Sequence, residues 1–260
     1  MQAVFGLARE KDNKLYYKEY QNDKGIFHFH SSIELYFIDE GEMEVLVNDR
    51  KKLLTAGQMS VALSYNPHGY KTPEGSRSAV LIIPSAFCRE FLERVKDKRP
   101  AFPFITDADT VATLREFARQ IGRNDIDPIK RNGYIYLVLG TLLEALSFET
   151  SAHSSDTDLA SALLLAVNEG FRQNISLKEL AVLFGYSESY ISRYFKDNFG
   201  VGFNEYINLL RLRCALELIN EKKHSITYCA MESGFSSMRT FYRCFKEEFG
   251  CTPKQATVSQ

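Results

Sequence analysis

The segment His28-Phe-His30-Ser-Ser-Ile-Glu34, together with Pro67-His68, supplies three imidazoles and one carboxylate. Alternate residues of an extended strand share a face, so His28 and His30 point the same way. With Glu34 and His68 they form a donor set that suits a divalent transition metal. The same side chains, hydrogen-bonded to one another and to the backbone, would instead line a polar pocket without metal. A second set lies near the C-terminus and is small-polar and basic: Ser187, Ser189, Ser192, Arg193 and Lys196, then Ser236, Met238, Arg239, Thr240, Arg243 and Lys246. On the outer face of a helix such side chains reach base edges, Arg binding guanine bidentately while Lys holds phosphates.

Positioning the histidines requires strands. Apolar runs of strand length at 33–38, 43–47, 59–63 and 79–83 are punctuated by turn signals such as Asn48-Asp49, Gly57 and Asn66-Pro67. Regular short strands of this kind predict a sandwich or barrel. The His-x-His and Glu34, followed after six residues by Gly41, have the spacing of the first cupin motif, and His68 falls where a second motif places another His. The second motif is poor in glycine, which favours the metal-free pocket and implies no cofactor. Barrels of this size hold one small ligand, and His30, Glu34, Tyr36, Met59 and His68 are the predicted lining, with Tyr16, Tyr17 and Tyr20 as a lid. Aromatic faces beside a carboxylate and imidazoles suit a sugar or another polar small molecule. The rival reading is a metal-dependent cupin enzyme using His28, His30, Glu34 and His68.

Helical periods follow at 87–95, 111–121 and 134–148. In the last, Ile135, Val138, Leu139, Leu142, Leu143 and Leu146 form a wide apolar stripe. Periodicity alone leaves two uses open, packing on the strand domain or pairing two copies of the chain. The polar stretch after it predicts a linker at 151–157, dividing a domain of 1–150 from one of 158–260. Charge divides similarly: residues 1–170 hold 20 basic and 24 acidic residues (−4), residues 171–260 hold 12 and 9 (+3).

The C-terminal part repeats a helix pair. Leu177, Ala181, Gly185, Tyr186 and Ser187 match Ile226, Ala230, Gly234, Phe235 and Ser236 at a shift of 49. Arg193, Phe195, Lys196, Phe199 and Gly200 match Arg243, Phe245, Lys246, Phe249 and Gly250 at a shift of 50. Two helices joined by a glycine turn, the second apolar inside and polar outside, follow the helix-turn-helix plan. A plain helical bundle has no reason to repeat its Gly-aromatic-Ser turn.

The stretch 226–253, with its Ala230, Gly234-Phe235, Phe241-Tyr-Arg243-Cys-Phe245-Lys246 and closing Gly250-Cys-Thr-Pro253, resembles the signature of AraC-type transcription regulators. That resemblance implies an α+β chain: a cupin-like barrel with a helical dimerisation segment, then an all-α domain with two helix-turn-helix motifs. It further implies a non-enzyme, an activator that binds promoter DNA as a homodimer, responds to a small molecule and works with RNA polymerase. Base-facing residues carried over by position are Ser189, Ser192 and Arg193 in the first recognition helix, and Met238, Arg239, Thr240 and Arg243 in the second. The first copy ends in Gly200-Val-Gly-Phe203 where the family has Gly-x-x-Pro, which predicts a looser junction.

Composition sets the outer limits. At 260 residues, 45% hydrophobic and 25% charged, the chain suits ordinary globular domains. Five cysteines without CxxC spacing read as reduced thiols of a cytoplasmic protein. The first residues make a poor secretory signal, and no apolar run reaches the ~20 residues of a membrane span.

Overall fold

The computed structural model describes residues 4–6, 14–23, 27–71, 75–96, 98–150, 156–173 and 175–256. The chain forms two compact units, Met1–Asp158 and Leu159–Gln260. Of the predicted linker, residues 151–155 lie outside the described residues, and Asp156 and Thr157 already belong to a helix.

The first unit runs β1 (Val4–Phe5), β2 (Tyr16–Gln21), β3 (His28–Phe29), β4 (Ile33–Glu40), β5 (Glu42–Val47), β6 (Arg50–Thr55), β7 (Gln58–Ala62), β8 (His68–Lys71) and β9 (Arg77–Ile83). After these come α1 (Arg89–Arg94), β10 (Lys98–Pro100), β11 (Phe104–Ile105), α2 (Ala108–Ile121), α3 (Pro128–Ala145) and β12 (Phe148–Thr150). Two five-stranded sheets result, ordered β1-β3-β8-β5-β6 and β11-β7-β4-β9-β2. The expected cupin-like barrel thus takes the form of two sheets sharing one core. Asn48, at φ 53°, turns the β5–β6 hairpin in a conformation that Asn tolerates better than most residues.

Two apolar layers flank the second sheet. Tyr36, Ile38, Val80 and Ile82 from it meet Met43, Val45, Leu54 and Tyr70 from the first sheet. On its other side Leu35, Phe37, Met59 and Leu81 pack against Leu114 of α2 and Val138 and Leu142 of α3. β4 is therefore buried on both faces, and each of its large side chains contributes roughly 1.5–3 kcal/mol by leaving water. The stripe predicted for the third helical period is used inside the chain: Ile135, Val138, Leu139 and Leu142 of α3 are all buried here. Asp107 caps α2 by accepting the Thr110 N–H at 2.9 Å, and Asp127 caps α3 ahead of Pro128, a residue suited to a first helical turn.

The second unit holds all but the first three residues of α4 (Asp156–Gly170), then α5 (Leu177–Phe184), α6 (Glu188–Phe199), α7 (Phe203–Asn220), α8 (Ile226–Glu232), α9 (Met238–Phe249) and α10 (Pro253–Ala256). α7 bridges the two helix pairs. Its Leu212, Ala215 and Ile219 pack with Ala230, Phe241 and Phe245 of the second pair, while its Tyr206 lies beside Phe195 of the first. Arg211 ties α7 to the end of α4, donating to the carbonyls of Phe171 (2.6 Å) and Gln173 (2.9 Å).

Candidate nucleic-acid interface and ligand site

The first helix pair is set by local chemistry. Ser176 and Glu179, a serine followed three residues later by a glutamate, form a capping box at the start of α5: the Ser176 N–H donates to Glu179 Oε2 at 2.8 Å, and the Glu179 N–H donates to Ser176 Oγ at 3.2 Å. Gly185, at φ 74°, ends α5 in the left-handed conformation, and Ser187 then caps α6 by accepting the Tyr190 N–H at 3.2 Å. Ile191, Phe195 and Phe199 face inward, leaving Ser189, Ser192, Arg193 and Lys196 exposed on one side. The first junction is packed rather than loose. Phe203 meets Phe195 edge-on at 5.4 Å, and the Gly202 N–H donates to Glu205 Oε2 at 3.4 Å.

The second pair repeats this plan with three corrections to the sequence reading. Ser237, not Ser236, caps α9, accepting the Thr240 N–H at 3.5 Å. The extra residue of the second turn is thereby absorbed before the cap, and Ser236 is simply exposed. Met238 packs against the inner cluster instead of standing on the outer face. Tyr242, which the sequence reading passed over, is exposed beside Arg239, Arg243 and Lys246. Its position three residues after Arg239 was the available signal, since residues three and four apart share a helix face. Thr240 is half-buried, and Arg243 is paired with Glu247 at 3.3 Å on the surface. Gly200 (φ 67°) and Gly250 (φ 69°) end the two recognition helices alike.

Within the first unit the strand register gathers the other set. Antiparallel partners share a face, and Val47↔His68 and His68↔His28 place both imidazoles on the inner side with Val47. Glu34 and Tyr36 reach inward from the opposite sheet, Tyr36 stacking on Tyr70 with ring centroids 3.8 Å apart. His30 Nε2 lies 3.2 Å from Glu34 Oε2, His68 Nε2 lies 3.6 Å from Oε1, and the Tyr70 hydroxyl donates to Oε1 at 2.8 Å. His30, Glu34 and His68 are buried, and His28 is half-buried at the edge of the group.

Burial alone would push the Glu34 carboxyl up, but the charge of His68 and the contacts from both histidines outweigh it and hold the group well below the ordinary carboxylate range. For His68 burial acts downward, yet the Glu34 charge carries the imidazole above its usual value. Burial and the same carboxylate push the Tyr70 hydroxyl well up, so it stays a donor. Tyr36 also keeps its proton, for burial raises it, and its hydroxyl donates to Asp23 at 2.8 Å.

The structure therefore brings together His28, His30, Glu34, Tyr36 and His68. It does not bring Met59, which pairs with Phe37 and faces α2 and α3, away from the inter-sheet core. Tyr17 likewise faces outward. β2 is an edge strand of the sheet rather than a lid, and only Tyr16 and Tyr20 turn inward, their hydroxyls 2.6 Å apart. Tyr70 was missed, although it stands two residues from His68 and so shares its face.

A strand-rich unit with a buried polar cluster, followed by a unit carrying two capped helix-turn-helix motifs, defines a class of two-part protein that pairs a ligand-binding fold with a nucleic-acid-binding one. The chain matches the family model of an AraC-like ligand binding domain over residues 14–167, and that of a helix-turn-helix domain over residues 180–257. The first match spans more than half of the chain, which thus belongs to the AraC family.

The HTH-type transcriptional activator RhaS of Escherichia coli is 22% identical over 238 residues, covering 87% of this chain and 85% of RhaS. An uncharacterized HTH-type transcriptional regulator of Staphylococcus aureus is 28% identical over 161 residues, 58% of this chain and 22% of that protein. The chain thus spans about a fifth of the length of the S. aureus relatives it matches. Among solved structures, ToxT from Vibrio cholerae is similar at 14% identity and a TM-score of 0.40, with 94% of this chain and 97% of ToxT covered. Among the described residues no helix is long and apolar enough to cross a membrane.

Proposed function

We propose that this chain is a sequence-specific, DNA-binding transcription activator whose N-terminal unit senses a small molecule. The observation that carries the reading is the repeated outer face: Ser189, Ser192, Arg193 and Lys196 on α6 stand where Arg239, Tyr242, Arg243 and Lys246 stand on α9. Two such faces on one rigid connecting helix suit successive major-groove segments of a duplex. The N-terminal pair, with two short serines, reads fewer bases than the C-terminal one. Activation, rather than repression, follows the name of RhaS, and RNA polymerase is then the partner at the promoter.

The N-terminal unit works by linkage: a ligand that favours one arrangement of the chain changes its affinity for DNA by the same free energy. The polar cluster around Glu34 is the sensing site, and a sugar or similar polar molecule fits its mixture of aromatic and charged groups. Two copies pair through the outer side of α3, where Tyr136 and Leu137 are half or more exposed (59% and 51%). A groove of about 420 Å³ between α1 and α3 runs beside Tyr136, Gly140 and Leu143. The protein acts in the cytoplasm and is not an enzyme.

Selection of bound sequences from random duplex DNA by the full chain tests this directly. The expected result is enrichment of one motif with two contacted blocks about one helical turn, ~10 base pairs, apart. No enrichment, with or without cell-derived small molecules, overturns the reading.

A further inference from the structure

Two backbone carbonyls decide which imidazole nitrogens in the first unit are left over. His30 Nδ1 lies 3.2 Å from the Ser32 carbonyl, and His68 Nδ1 lies 2.7 Å from that of Asn66. A carbonyl only accepts, so both Nδ1 atoms carry the proton and donate. Each ring then turns Nε2 toward the Glu34 carboxylate, at 3.2 Å for His30 and 3.6 Å for His68. Neutral rings would set two lone pairs against an anion in a buried site. His68 Nε2 is buried and makes no hydrogen bond. The half-buried His28 closes the group, its ring centroid 4.4 Å from that of His68 and 5.4 Å from that of His30. What this arrangement calls for is one positive charge shared among all four side chains.

We propose that His28, His30, Glu34 and His68 bind one first-row divalent transition metal ion. Their donor atoms all lie within 4.8 Å of one another. Around an ion with bonds of ~2.1 Å, ligand atoms sit roughly 3–4 Å apart, so small inward rotations complete the set. Three imidazoles and one carboxylate select Zn, Ni, Co, Mn or Fe(II), whereas Mg and Ca prefer all-oxygen sites. The surroundings are those of a metal site: the Nδ1–H groups held by carbonyls fix tautomer and ring plane, and the Tyr70 hydroxyl orients the carboxylate by donating to its Oε1. This site stands on the cluster alone and goes beyond the regulatory reading. Only a role for the ion as the sensed ligand rests on that reading.

The full chain, stripped with a chelator and returned to chelator-free buffer near neutral pH, is titrated separately with Zn2+, Ni2+, Mn2+ and Co2+ by calorimetry. Co2+ binding is also followed by its visible ligand-field bands. Saturation at one ion per chain with at least one of these metals is expected. His28→Ala, at the edge of the core, should keep the fold by circular dichroism and weaken that metal at least tenfold, as should Glu34→Gln. If the folded wild-type chain takes up none of the four, the imidazoles hold protons instead and the proposal fails. Undiminished affinity in both variants overturns it equally. Binding to a selected duplex, measured on the same samples, reports separately on the regulatory reading: its loss would leave a one-to-one metal titration intact.

Discussion

Ser187 and Ser237 hold the same place in the two helix-turn-helix motifs, each accepting the backbone N–H of the residue three positions on, Tyr190 at 3.2 Å and Thr240 at 3.5 Å. That pairing sets the two recognition helices in register at a shift of 50 and leaves Ser236 outside the repeat. A cap of this kind stabilises a helix by ~1 kcal/mol. Ser237→Ala should therefore lower the stability of the C-terminal unit by about that amount in urea denaturation of the full chain, and Ser236→Ala should leave it unchanged. Equal effects would mean that the register is set elsewhere.

The register also ranks the side chains that meet DNA. Arg239→Ala and Arg243→Ala should each cost roughly 1–3 kcal/mol in binding to a selected site and relax the base preference there. Ser189→Ala and Ser192→Ala should cost less. With a net charge of only +3 over residues 171–260, the salt dependence of binding should be shallow for a DNA-binding unit. Fluorescence anisotropy over a range of salt concentrations measures both. Unchanged specificity in the two arginine variants would mean that another face meets the duplex.

Two turn glycines should respond differently to the same change. Gly234 has φ 96°, and a methyl group there would lie 2.8 Å from both the Cα and the carbonyl oxygen of Arg172. Gly185 has φ 74° with open space around it. Gly185→Ala meets only the backbone penalty of ~1 kcal/mol, whereas Gly234→Ala adds a backbone clash and should cost clearly more. Thermal unfolding of the two variants, compared with wild type, gives the order.

Arg115 fastens α2 to the sheet. Its Nε and Nη2 both donate to Asp39 at 2.9 Å, Nη2 reaches Glu19 at 2.8 Å, and Nη1 donates to the Tyr17 hydroxyl at 2.6 Å. Asp39 is largely shielded from water and Glu19 is not, so the pairing counts for less than a fully buried one. Arg115→Met should destabilise the N-terminal unit by about 1–3 kcal/mol, read from the denaturant midpoint, while leaving DNA affinity at saturating stability unchanged.

The thiols offer a pH test. Burial pushes Cys88 up to about 12, so the folded chain keeps it protonated where an unfolded chain would ionise. A raised folded-state value gives stability that is complete below the unfolded thiol range, near 8.5, and is lost as pH climbs from there toward 12. Replacing Cys88 by Ala should flatten the decline in stability over that alkaline window. Cys251, half-buried rather than enclosed, should be the first of the described cysteines to react with a thiol reagent in native protein.

What could be read from the chain in order was whatever rests on neighbours in sequence. The capping box at Ser176 and Glu179, the inward stripe of Ile191, Phe195 and Phe199, and the repeat of Gly200 at Gly250 follow from helix period and cap chemistry, which are local. The His28, His30, Glu34 and His68 grouping was legible too, because spacing and alternation brought the first three to attention together. Tertiary packing decided the rest. β4 is covered on both sides, and from Leu35 to Ile38 its side chains are all apolar or aromatic, so they give no sign of which face turns to the other sheet, and the same ambiguity placed Met59 in the wrong layer. The stripe on α3 was equally suited to a partner or to its own sheet, and only contact with Leu35 and Phe37's side of that sheet settled its use. A side chain's surroundings depend on residues far away in sequence, and pattern along the chain carries no information about which of two apolar surfaces arrives to cover it.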